Sequence, residues 1–338
     1  MKKVVVGMSG GVDSAVTAAL LKKEGYYVIG LTMLLNDNFE YEDARKICDT
    51  LGIEFHLLDL RDKFKKIIKD RFLEDYKNGL TPNPCVLCNK YIKFGLMYDE
   101  LLNYDADYIA TGHYALIKDG KLYKASDKNK DQSYFIYNLT KKQLNKVLFP
   151  LADKTKDEVR KLALEFNLPV ANKKESTDIC FISKGNLKDY LKRNIDSEVG
   201  DIVNIDTGEV LGKHIGLMYY TIGQRRGLNI GGTEKRLFVA KKDIKNNILY
   251  VAMGDENKYL ISHEAVIEEV NLLDELPKQC TAKFRYRQKD NDVIVSKLDD
   301  GNLLVKYPEG VKSVTPGQAC VLYNGDECLG GGIIKEVR

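Results

Sequence analysis

One stretch near the start of the chain decides the fold: Val4-Val5-Val6-Gly7-Met8 runs directly into Ser9-Gly10-Gly11-Val12-Asp13-Ser14. The first residues are apolar, as in a short buried strand. Apolar residues then recur at helical spacing, and Gly25 follows where a helix C-cap is expected. The stretch therefore predicts a strand, a glycine-rich loop and a helix over residues 12–24.

The loop is suited to hold a phosphate group although it contains no lysine. Two glycines let the backbone approach an anion closely, Ser9 and Ser14 add hydroxyl donors, and the first turn of the helix offers free N–H groups. It matches neither the Gly-x-x-x-x-Gly-Lys loop nor the Gly-x-Gly-x-x-Gly fingerprint. Asp13 would repel an anion unless a cation lay between them, so we assign Asp13 to Mg²⁺ bridging a pyrophosphate. The alternative is that the glycines merely turn the chain.

The pattern changes along the chain in a way that predicts three domains. Strand-like and helical runs alternate through the first part of the sequence, which favours α/β architecture with a doubly wound parallel sheet, and residues 140–195 are expected to be helical. Short β-like runs with turn residues follow from residue 196, and alternating runs at 280–286, 292–297, 303–307 and 319–323 predict a small antiparallel β-barrel. The expected boundaries are 1–195 for the α/β domain, 196–263 for a small β-rich central domain and 264–338 for the C-terminal barrel.

Composition narrows the class of protein. The chain of 338 residues has 52 Lys+Arg against 49 Asp+Glu and 44% hydrophobic residues, typical of a globular protein. It has no apolar run long enough for a membrane helix and no signal-like start, so we expect a cytoplasmic protein without membrane contact. Seven cysteines are too few for a disulfide scaffold of this length, which indicates redox, metal-binding or catalytic chemistry.

The positive charge is concentrated in one segment. Residues 117–195 carry a net charge of +8, whereas the whole chain carries only +3. The cations include Lys156 and Lys173, with further lysines and arginines between them. Such a segment is either the electrostatic footprint of a nucleic acid or a set of solvated helix faces.

Several motifs carry a resemblance to a known family. Residues 9–14 resemble the signature of the ATP pyrophosphatases, and Asn83-Pro84-Cys85-Val86-Leu87-Cys88-Asn89-Lys90-Tyr91-Ile92-Lys93-Phe94 resembles the motif of the bacterial tRNA-specific 2-thiouridylases. Further motifs match in the same order at residues 110–114, 130–135, 175–181, 221–227, 284–288 and 315–319. The resemblance covers the whole chain.

The resemblance implies a fold like that of the adenine nucleotide α-hydrolases and a two-step reaction. ATP would activate the C2 oxygen of the wobble uridine in tRNA as an adenylate, and sulfur would then displace AMP to give 2-thiouridine. The expected tRNAs are those for Lys, Glu and Gln. The expected sulfur donor is a cysteine desulfurase, a persulfide carrier or free sulfide.

The resemblance also assigns residues to roles. ATP would be held by Gly7, Met8, Ser9, Gly10, Gly11, Val12, Asp13 and Ser14, with Met33 and Gly112 lining the nucleotide pocket. The target base would face Asn83, Pro84 and Cys85, and tRNA would be contacted by His113, Lys130, Asp131, Gln132, Arg285, Tyr286 and Gln318. Simpler interpretations remain open: His113 as a buried histidine at a strand end, Met33 as a core residue, and 285–287 as an exposed strand face. The pair Arg225-Arg226 suits a loop near RNA.

The cysteines depart from the usual family pattern. Many members carry Asp at the position of Cys85; in them the counterpart of Cys180 accepts a persulfide, and that of Cys88 releases the sulfur by forming a disulfide. Here Cys85, Cys88 and Cys180 bring three thiols to one site, without an obvious fourth ligand for zinc. We expect them to hold a 4Fe-4S cluster whose open iron delivers sulfide. The persulfide relay, and Cys85 as a pocket filler, are the alternatives. The other four cysteines are expected to be packing residues: Cys48, Cys280, Cys320 and Cys328.

Two other kinds of function compete with thiolation. Another adenylating enzyme, such as a tRNA lysidine synthetase or an amidotransferase partner, would use a nitrogen nucleophile and would have no need of three cysteines. A non-catalytic RNA-binding or redox-sensing protein would not need an intact Ser9, Asp13 and Ser14.

Overall fold

A five-stranded parallel sheet organises the N-terminal part of the protein. The computed structural model describes residues 1–37, 40–174, 179–182 and 186–338. The strand order is β3-β2-β1-β4-β7, and every neighbouring pair is parallel. The strands are β1 (Lys3–Gly7), β2 (Tyr27–Leu34), β3 (Glu54–Asp59), β4 (Tyr108–Ala110) and β7 (Val147–Leu148). The chain order reverses between β1 and β4, so a crevice for ligands is expected where these two strands end.

Helices cover both faces of this sheet. Val4 and Val6 of β1 pack in one hydrophobic cluster with residues of α1 (Val12–Lys23), α2 (Glu42–Leu51) and α9 (Lys156–Glu165), whereas Val5 belongs to the cluster on the other face. Strand residues alternate between faces, so both sides of the sheet are buried and the doubly wound arrangement predicted from sequence is confirmed. Gly25 ends α1 with φ of +87°, as the predicted C-cap.

Two helical segments contain π-helical stretches that the sequence pattern did not predict. The first consists of α3 (Arg61–Phe64), a π stretch at Lys65–Lys69 and α4 (Asp70–Lys77). The second consists of α5 (Pro84–Leu87), a π stretch at Cys88–Leu96 and α6 (Met97–Asn103). In the second, the Met97 N–H donates to the carbonyl of Ile92, five residues earlier. Such stretches occur often at functional sites.

Residues 140–195 are less helical than predicted. Their described part holds α8 (Lys141–Leu144), α9 and α10 (Leu187–Asn194), separated by β7 and by turns. Capping boxes start α8 at Thr140 and α9 at Thr155. Before them the chain forms a hairpin of β5 (Ala115–Lys118) and β6 (Lys121–Lys124) and a short helix, α7 (Ser133–Ile136). We interpreted the charged residues of this segment as helix faces. Because many of them lie in turns and loops, the prediction assigned too much of the segment to helices.

The C-terminal half forms two β structures. A four-stranded sheet of order β10-β11-β8-β9 is built from β8 (Gly200–Asn204), β9 (Val210–His214), β10 (Leu237–Asp243) and β11 (Ile248–Met253). The barrel runs β12-β15-β14-β13-β16-β17 and closes by pairing β17 with β12. Its strands are β12 (Ile261–Leu272), β13 (Gln279–Lys283), β14 (Asn291–Lys297), β15 (Leu303–Lys312), β16 (Ala319–Asn324) and β17 (Glu327–Val337). The predicted antiparallel barrel is therefore confirmed.

The β5–β6 hairpin connects the first domain to the barrel. Strand β6 pairs with β17 through Leu122 and Cys328, so the barrel sheet extends into a segment that we predicted to belong to the α/β domain. Within the described residues, the helices are too short and too polar to cross a membrane.

Candidate functional site

The glycine-rich loop lies at the carboxyl end of β1 and is held by its own serines. The hydroxyls of Ser9 and Ser14 are 3.1 Å apart, and Ser14 Oγ also accepts the N–H of Ser9 at 3.2 Å. Ser14 Oγ lies 3.1 Å from the carbonyl of Gly11, to which it donates. Gly10 has φ of +70°, and a Cβ there would lie 3.2 Å from that of Asp43. The loop is thus fixed in a conformation that favours glycine.

The loop after β4 approaches the phosphate loop closely. A Cβ at Gly112 would lie 2.8 Å from the carbonyl carbon of Asp13 and 2.9 Å from the nitrogen of Ser14, so only glycine fits. Gly7 is similarly close to Met97, whose sulfur would be 3.2 Å from an added Cβ. Met33, near the end of β2, is half-buried and packs against two hydrophobic clusters. Gly112 therefore borders the crevice predicted to hold the nucleotide.

Two lysines from distant parts of the chain reach this loop. Lys156, the first residue of α9, places Nζ 2.6 Å from Oδ1 of Asp13, and the hydroxyl of Tyr114 donates to the same oxygen at 2.9 Å. Lys173 donates to the carbonyl of Gly10 at 3.0 Å and pairs with Asp43 at 2.6 Å. Both cations belong to the positively charged segment that we interpreted as either a nucleic-acid footprint or a set of solvated helix faces. No local motif identifies them, because they lie more than 140 residues after the loop in sequence.

The side chain of Asp13 is suited to the Mg²⁺ predicted for it. Both of the hydrogen bonds described above fall on Oδ1, and the side chain retains 33% of its exposure. Carboxylate oxygen is a preferred Mg²⁺ ligand in nucleotide sites. Oδ2 of Asp13 is therefore the oxygen that could join a metal ion accompanying ATP.

The motif at residues 83–94 forms the start of a helix. Asn83 precedes α5, and its carbonyl accepts the N–H of Val86 at 3.3 Å; Pro84 is buried in the first turn, where its missing N–H costs nothing. Cys85 is exposed, whereas Cys88 is buried at the start of the π stretch. Cys180, on the short segment 179–182, is exposed. The rest of the motif at 175–181 lies largely outside the described residues.

The surroundings of the three thiols disfavour the thiolate form. Desolvation raises the pKa of Cys88 to about 12 and also raises the pKa of Cys85 and of Cys180. Cys85 and Cys180 are exposed on one side, but the protein around the rest of each side chain still desolvates the thiol. The thiols are near enough for Cys85 and Cys180 to add to the raised pKa of Cys88. This mutual electrostatic effect indicates that the three predicted cysteines lie near one another.

Lys93 is a candidate functional residue to which our sequence reasoning gave no role. Its charge lowers the pKa of Cys85, Cys88 and Cys180, opposing the desolvation. It follows Cys88 by five residues, the spacing that the hydrogen bonds of a π helix bring into line. No carboxylate in the described parts of the chain pairs with it. Lys93 was part of the quoted motif at 83–94, but its alignment with Cys88 follows from the π-helical hydrogen bonding and could not be read from the sequence.

The thiols do not form a metal site in this arrangement. Among the described residues, no group of three His, Cys, Asp or Glu side chains is placed to hold a metal ion. A cluster bound through three cysteines needs their sulfurs to converge on one set of irons. The described residues therefore give no support to the expected 4Fe-4S cluster.

His113 lies in the interior. It is 7% exposed, its Nδ1 is 2.7 Å from the hydroxyl of Thr111, and its ring packs against Phe94 and Phe149. Burial, with a smaller effect of Lys93, holds its pKa well below the usual value, so the ring is neutral. The simpler interpretation of a buried histidine at a strand end describes this geometry better than contact with tRNA.

The segment 130–132 has mainly internal partners. Asp131 is 4% exposed and accepts the N–H groups of Ala125 at 3.1 Å and Ser133 at 3.2 Å. The side chain of Gln132 accepts the N–H of Tyr114 at 2.9 Å. Lys130 is half-buried. In the present structure, Gln132 therefore supports the loop that carries Tyr114, and Asp131 ties Ala125, after β6, to Ser133 at the start of α7.

The barrel contributes residues near the thiol site. Gln318 Nε2 donates to the carbonyl of Thr81 at 2.7 Å, and the N–H of Thr81 donates to Pro316 at 3.0 Å. This contact fixes the segment that leads into Asn83. Arg285 is exposed, and Tyr286 packs against Phe135 with ring centroids 4.4 Å apart. Arg285 and Tyr286 thus lie at the surface of the barrel, whereas Gln318 has an internal partner.

Known domain families match the chain in series. They are described as tRNA methyl transferase HUP domain over residues 2–184, tRNA methyl transferase PRC-barrel domain over 188–253 and Aminomethyltransferase beta-barrel domain over 262–334.

Full-length relatives carry a single name. The tRNA-specific 2-thiouridylase MnmA of Mycoplasma capricolum is 46% identical over 99% of both chains. MnmA 1 of Geobacillus kaustophilus is 48% identical over 99% of this chain and 96% of its own, and MnmA of Staphylococcus carnosus is 44% identical over 99% and 95%. The family predicted from the motifs is thereby confirmed, and the chain belongs to the MnmA family of tRNA-specific 2-thiouridylases.

Proposed function

We propose that this enzyme catalyses the ATP-dependent 2-thiolation of the wobble uridine of tRNA, through an adenylate of the C2 oxygen. The relatives are named for thiolation of tRNA, which supports the substrate class. The adenylate suits the chemistry, since a urea-type carbonyl oxygen is a poor leaving group until it carries AMP.

One structural relationship carries the proposal: the loop after β4 contacts both the phosphate loop and the helical segment that carries Cys88. Gly112 packs against Asp13 and Ser14 of the phosphate loop. The next residue, His113, packs its ring against Phe94, with ring centroids 5.7 Å apart, and Phe94 belongs to the π stretch that begins at Cys88. A nucleotide on the phosphate loop and a sulfur atom on the cysteines would therefore lie on the same edge of the sheet.

In the first step, the uridine C2 oxygen attacks the α-phosphorus of ATP, and pyrophosphate leaves. The helix start and the serine hydroxyls would bind the pyrophosphate oxygens. Asp13 would hold the Mg²⁺ that accompanies ATP and offsets the charge of the pyrophosphate. Lys156 and Lys173 keep the loop in its binding conformation through their contacts with Asp13 and Gly10.

In the second step, the outer sulfur of a persulfide on Cys180 attacks C2, and AMP leaves with the bonding electron pair. The thiolate of Cys88 then attacks the inner sulfur, which forms a Cys88–Cys180 disulfide and leaves the outer sulfur on C2 as the thiocarbonyl. A dithiol reductant restores both thiols by exchange. Lys93 would favour the thiolate of Cys88 during this exchange.

A single assay tests the proposal. The enzyme is incubated with wobble-uridine tRNA, ATP and a persulfide donor, and the tRNA nucleosides are analysed by mass spectrometry along with AMP and pyrophosphate. We expect 2-thiouridine and AMP in equal amounts, with Cys88→Ala and Cys180→Ala inactive and Cys280→Ala active as the matched control. Parallel incubations with unfractionated tRNA supply lysine or ammonia in place of the persulfide donor, and formation of lysidine or of an amidated base in them would assign the chain to another adenylating reaction. The absence of any tRNA-dependent release of pyrophosphate would contradict the adenylation step.

A further inference from the structure

The motif at residues 221–227 has no part in the site described above, yet it forms a firmly braced turn of the central domain. The side-chain oxygen of Gln224 accepts the N–H of Thr221 at 3.0 Å, and its nitrogen donates to the carbonyl of Arg226 at 2.9 Å. Gly223 and Gly227 both have φ of +81°, in the region that favours glycine. The turn therefore fixes the backbone from which Arg225 and Arg226 project.

This turn borders a cationic cleft in the central domain. The cleft has a volume of about 370 Å³, and its charged lining residues are Arg225, Lys235, Arg236 and one carboxylate, Glu234. All four are exposed, as is Arg226 beside them. Within the described structure, none of the four cations pairs with a carboxylate. Four cations grouped around a single carboxylate create a positive electrostatic potential, which attracts anions.

We propose that this cleft binds phosphate groups of the tRNA backbone, at a distance from the uridine that is thiolated. The inference rests on the proposed function, because it assumes that tRNA is the substrate. Guanidinium groups are well matched to phosphate oxygens, and interfaces with nucleic acids are far more positive than those with proteins. A protein-binding cleft would be expected to expose aromatic or apolar anchors, but the leucines lining it, Leu228 and Leu237, are buried.

The position of the cleft agrees with a single RNA that reaches both sites. A Cβ added to Gly223 would collide with Ser313 of the barrel, so the turn packs directly on that residue. Five residues later, Gln318 contacts Thr81, just before Asn83. Five extended residues span at most roughly 18 Å. A short barrel segment, residues 313–318, thus separates the 221–227 turn from the predicted site of the target base at Asn83. An RNA bound at that site could extend across the barrel to the cleft.

The test compares two double variants that remove the same charge from the central domain. R225A/R226A removes two arginines beside the cleft, and K241A/K245A removes two exposed lysines elsewhere in the domain. Affinity for full-length tRNA is measured between 50 and 200 mM salt, with thermal unfolding as the check on folding. If two phosphate contacts are lost, R225A/R226A should bind roughly tenfold more weakly, with a salt dependence flatter by about 1.5 in log–log slope, while K241A/K245A binds as wild type. R225K/R226K, which keeps the charge, should retain most of the affinity.

Other outcomes would overturn the inference. Unchanged tRNA binding by a folded R225A/R226A enzyme, or an equal loss in K241A/K245A, would show that the cleft is not a phosphate site. Unchanged tRNA binding with weaker binding of a sulfur-donor protein would assign the cleft to that protein. Formation of 2-thiouridine by the wild-type enzyme is a separate measurement, so failure of the proposed function can be distinguished from failure of this inference.

Discussion

Lys156 Nζ lies 2.6 Å from Oδ1 of Asp13, although the two residues are 143 positions apart in the chain. The pair joins the first residue of α9 to the phosphate loop, which contains no lysine of its own. Lys156 side-chain exposure is only 11%, so the cation is fixed at the loop rather than free in solvent. The charge that many nucleotide-binding loops carry in their own sequence is thus supplied here by a separate helix.

Replacing Lys156 by Met should abolish most adenylation while leaving tRNA binding intact. The variant keeps the aliphatic chain but removes the charge that orients Asp13 and attracts phosphate. We expect tRNA-dependent pyrophosphate release to fall at least tenfold, because a single hydrogen bond to a charged group contributes about 1.5–3 kcal/mol. Lys161→Met, at an exposed position on the same helix, is the control. Normal pyrophosphate release by Lys156→Met would show that the ion pair serves only the fold.

Asp13→Ala should also lose thiolation and keep tRNA affinity, since its carboxylate is proposed to act through the metal ion at the pyrophosphate. The loss should be visible as the absence of AMP rather than as weaker binding of RNA in a filter-binding assay. AMP formation near the wild-type rate would disprove the metal role of Asp13.

Lys93→Met should slow sulfur transfer more than adenylation. Lys93 lowers the pKa of the three thiols against desolvation, so its removal leaves Cys88 with less thiolate at neutral pH. The thiolate is the attacking species in thiol exchange, so we expect 2-thiouridine formation to fall several-fold in this variant. Single-turnover assays with preloaded persulfide separate this step from release of pyrophosphate. Both rates should rise with pH between 7 and 9 while the fold loss stays constant, because the pKa of Cys88 is raised to about 12 and the thiolate fraction of both proteins grows by the same factor.

Lys66→Met, an exposed site on the preceding helical segment, serves as the control for general loss of charge. Equal rates for Lys93→Met and wild type, or an equal loss in Lys66→Met, would remove Lys93 from the sulfur-transfer step.

The sequence predicted those parts of the protein that depend on local pattern. The β1–loop–α1 unit, the doubly wound sheet and the barrel follow from residue periodicity and turn residues. Gly112, which the family resemblance predicted to line the nucleotide pocket, lies against the phosphate loop. The sequence left Lys156 and Lys173 as either RNA contacts or solvated cations, because a charge count cannot tell which cations fold back onto a distant loop. His113 and Asp131 show the same limit: a motif marks them, but burial is set by neighbours such as Phe149 that lie elsewhere in sequence.

Lys242 predicts a dependence of stability on alkaline pH. Desolvation lowers its pKa to about 8, and Nζ donates to the carbonyl of Gly79 at 2.9 Å, across the contact between the central and N-terminal domains. Above pH 8 the native state has released this proton while the unfolded chain still holds it, so stability should rise with pH until about 10.5. The expected gain is on the order of 2 kcal/mol. Denaturant unfolding at pH 7.5 and 10 should show this rise in wild type and in exposed Lys241→Met, but not in Lys242→Met. A rise of equal size in Lys242→Met would contradict the assignment.

Cys85→Asp separates the two sulfur-transfer mechanisms. Under the cluster mechanism expected from sequence, aspartate is a hard ligand poorly matched to cluster iron, and activity should be lost. The described thiols do not converge as metal ligands, and Cys85 is exposed, so we now expect the variant to keep most of its persulfide-dependent activity. Nucleoside mass spectrometry, with iron and sulfide analysis of anaerobically purified protein, measures both outcomes. Cys88→Ala is inactive under either mechanism and cannot distinguish them. Stoichiometric iron in the wild type, together with an inactive, iron-free Cys85→Asp variant, would restore the cluster mechanism.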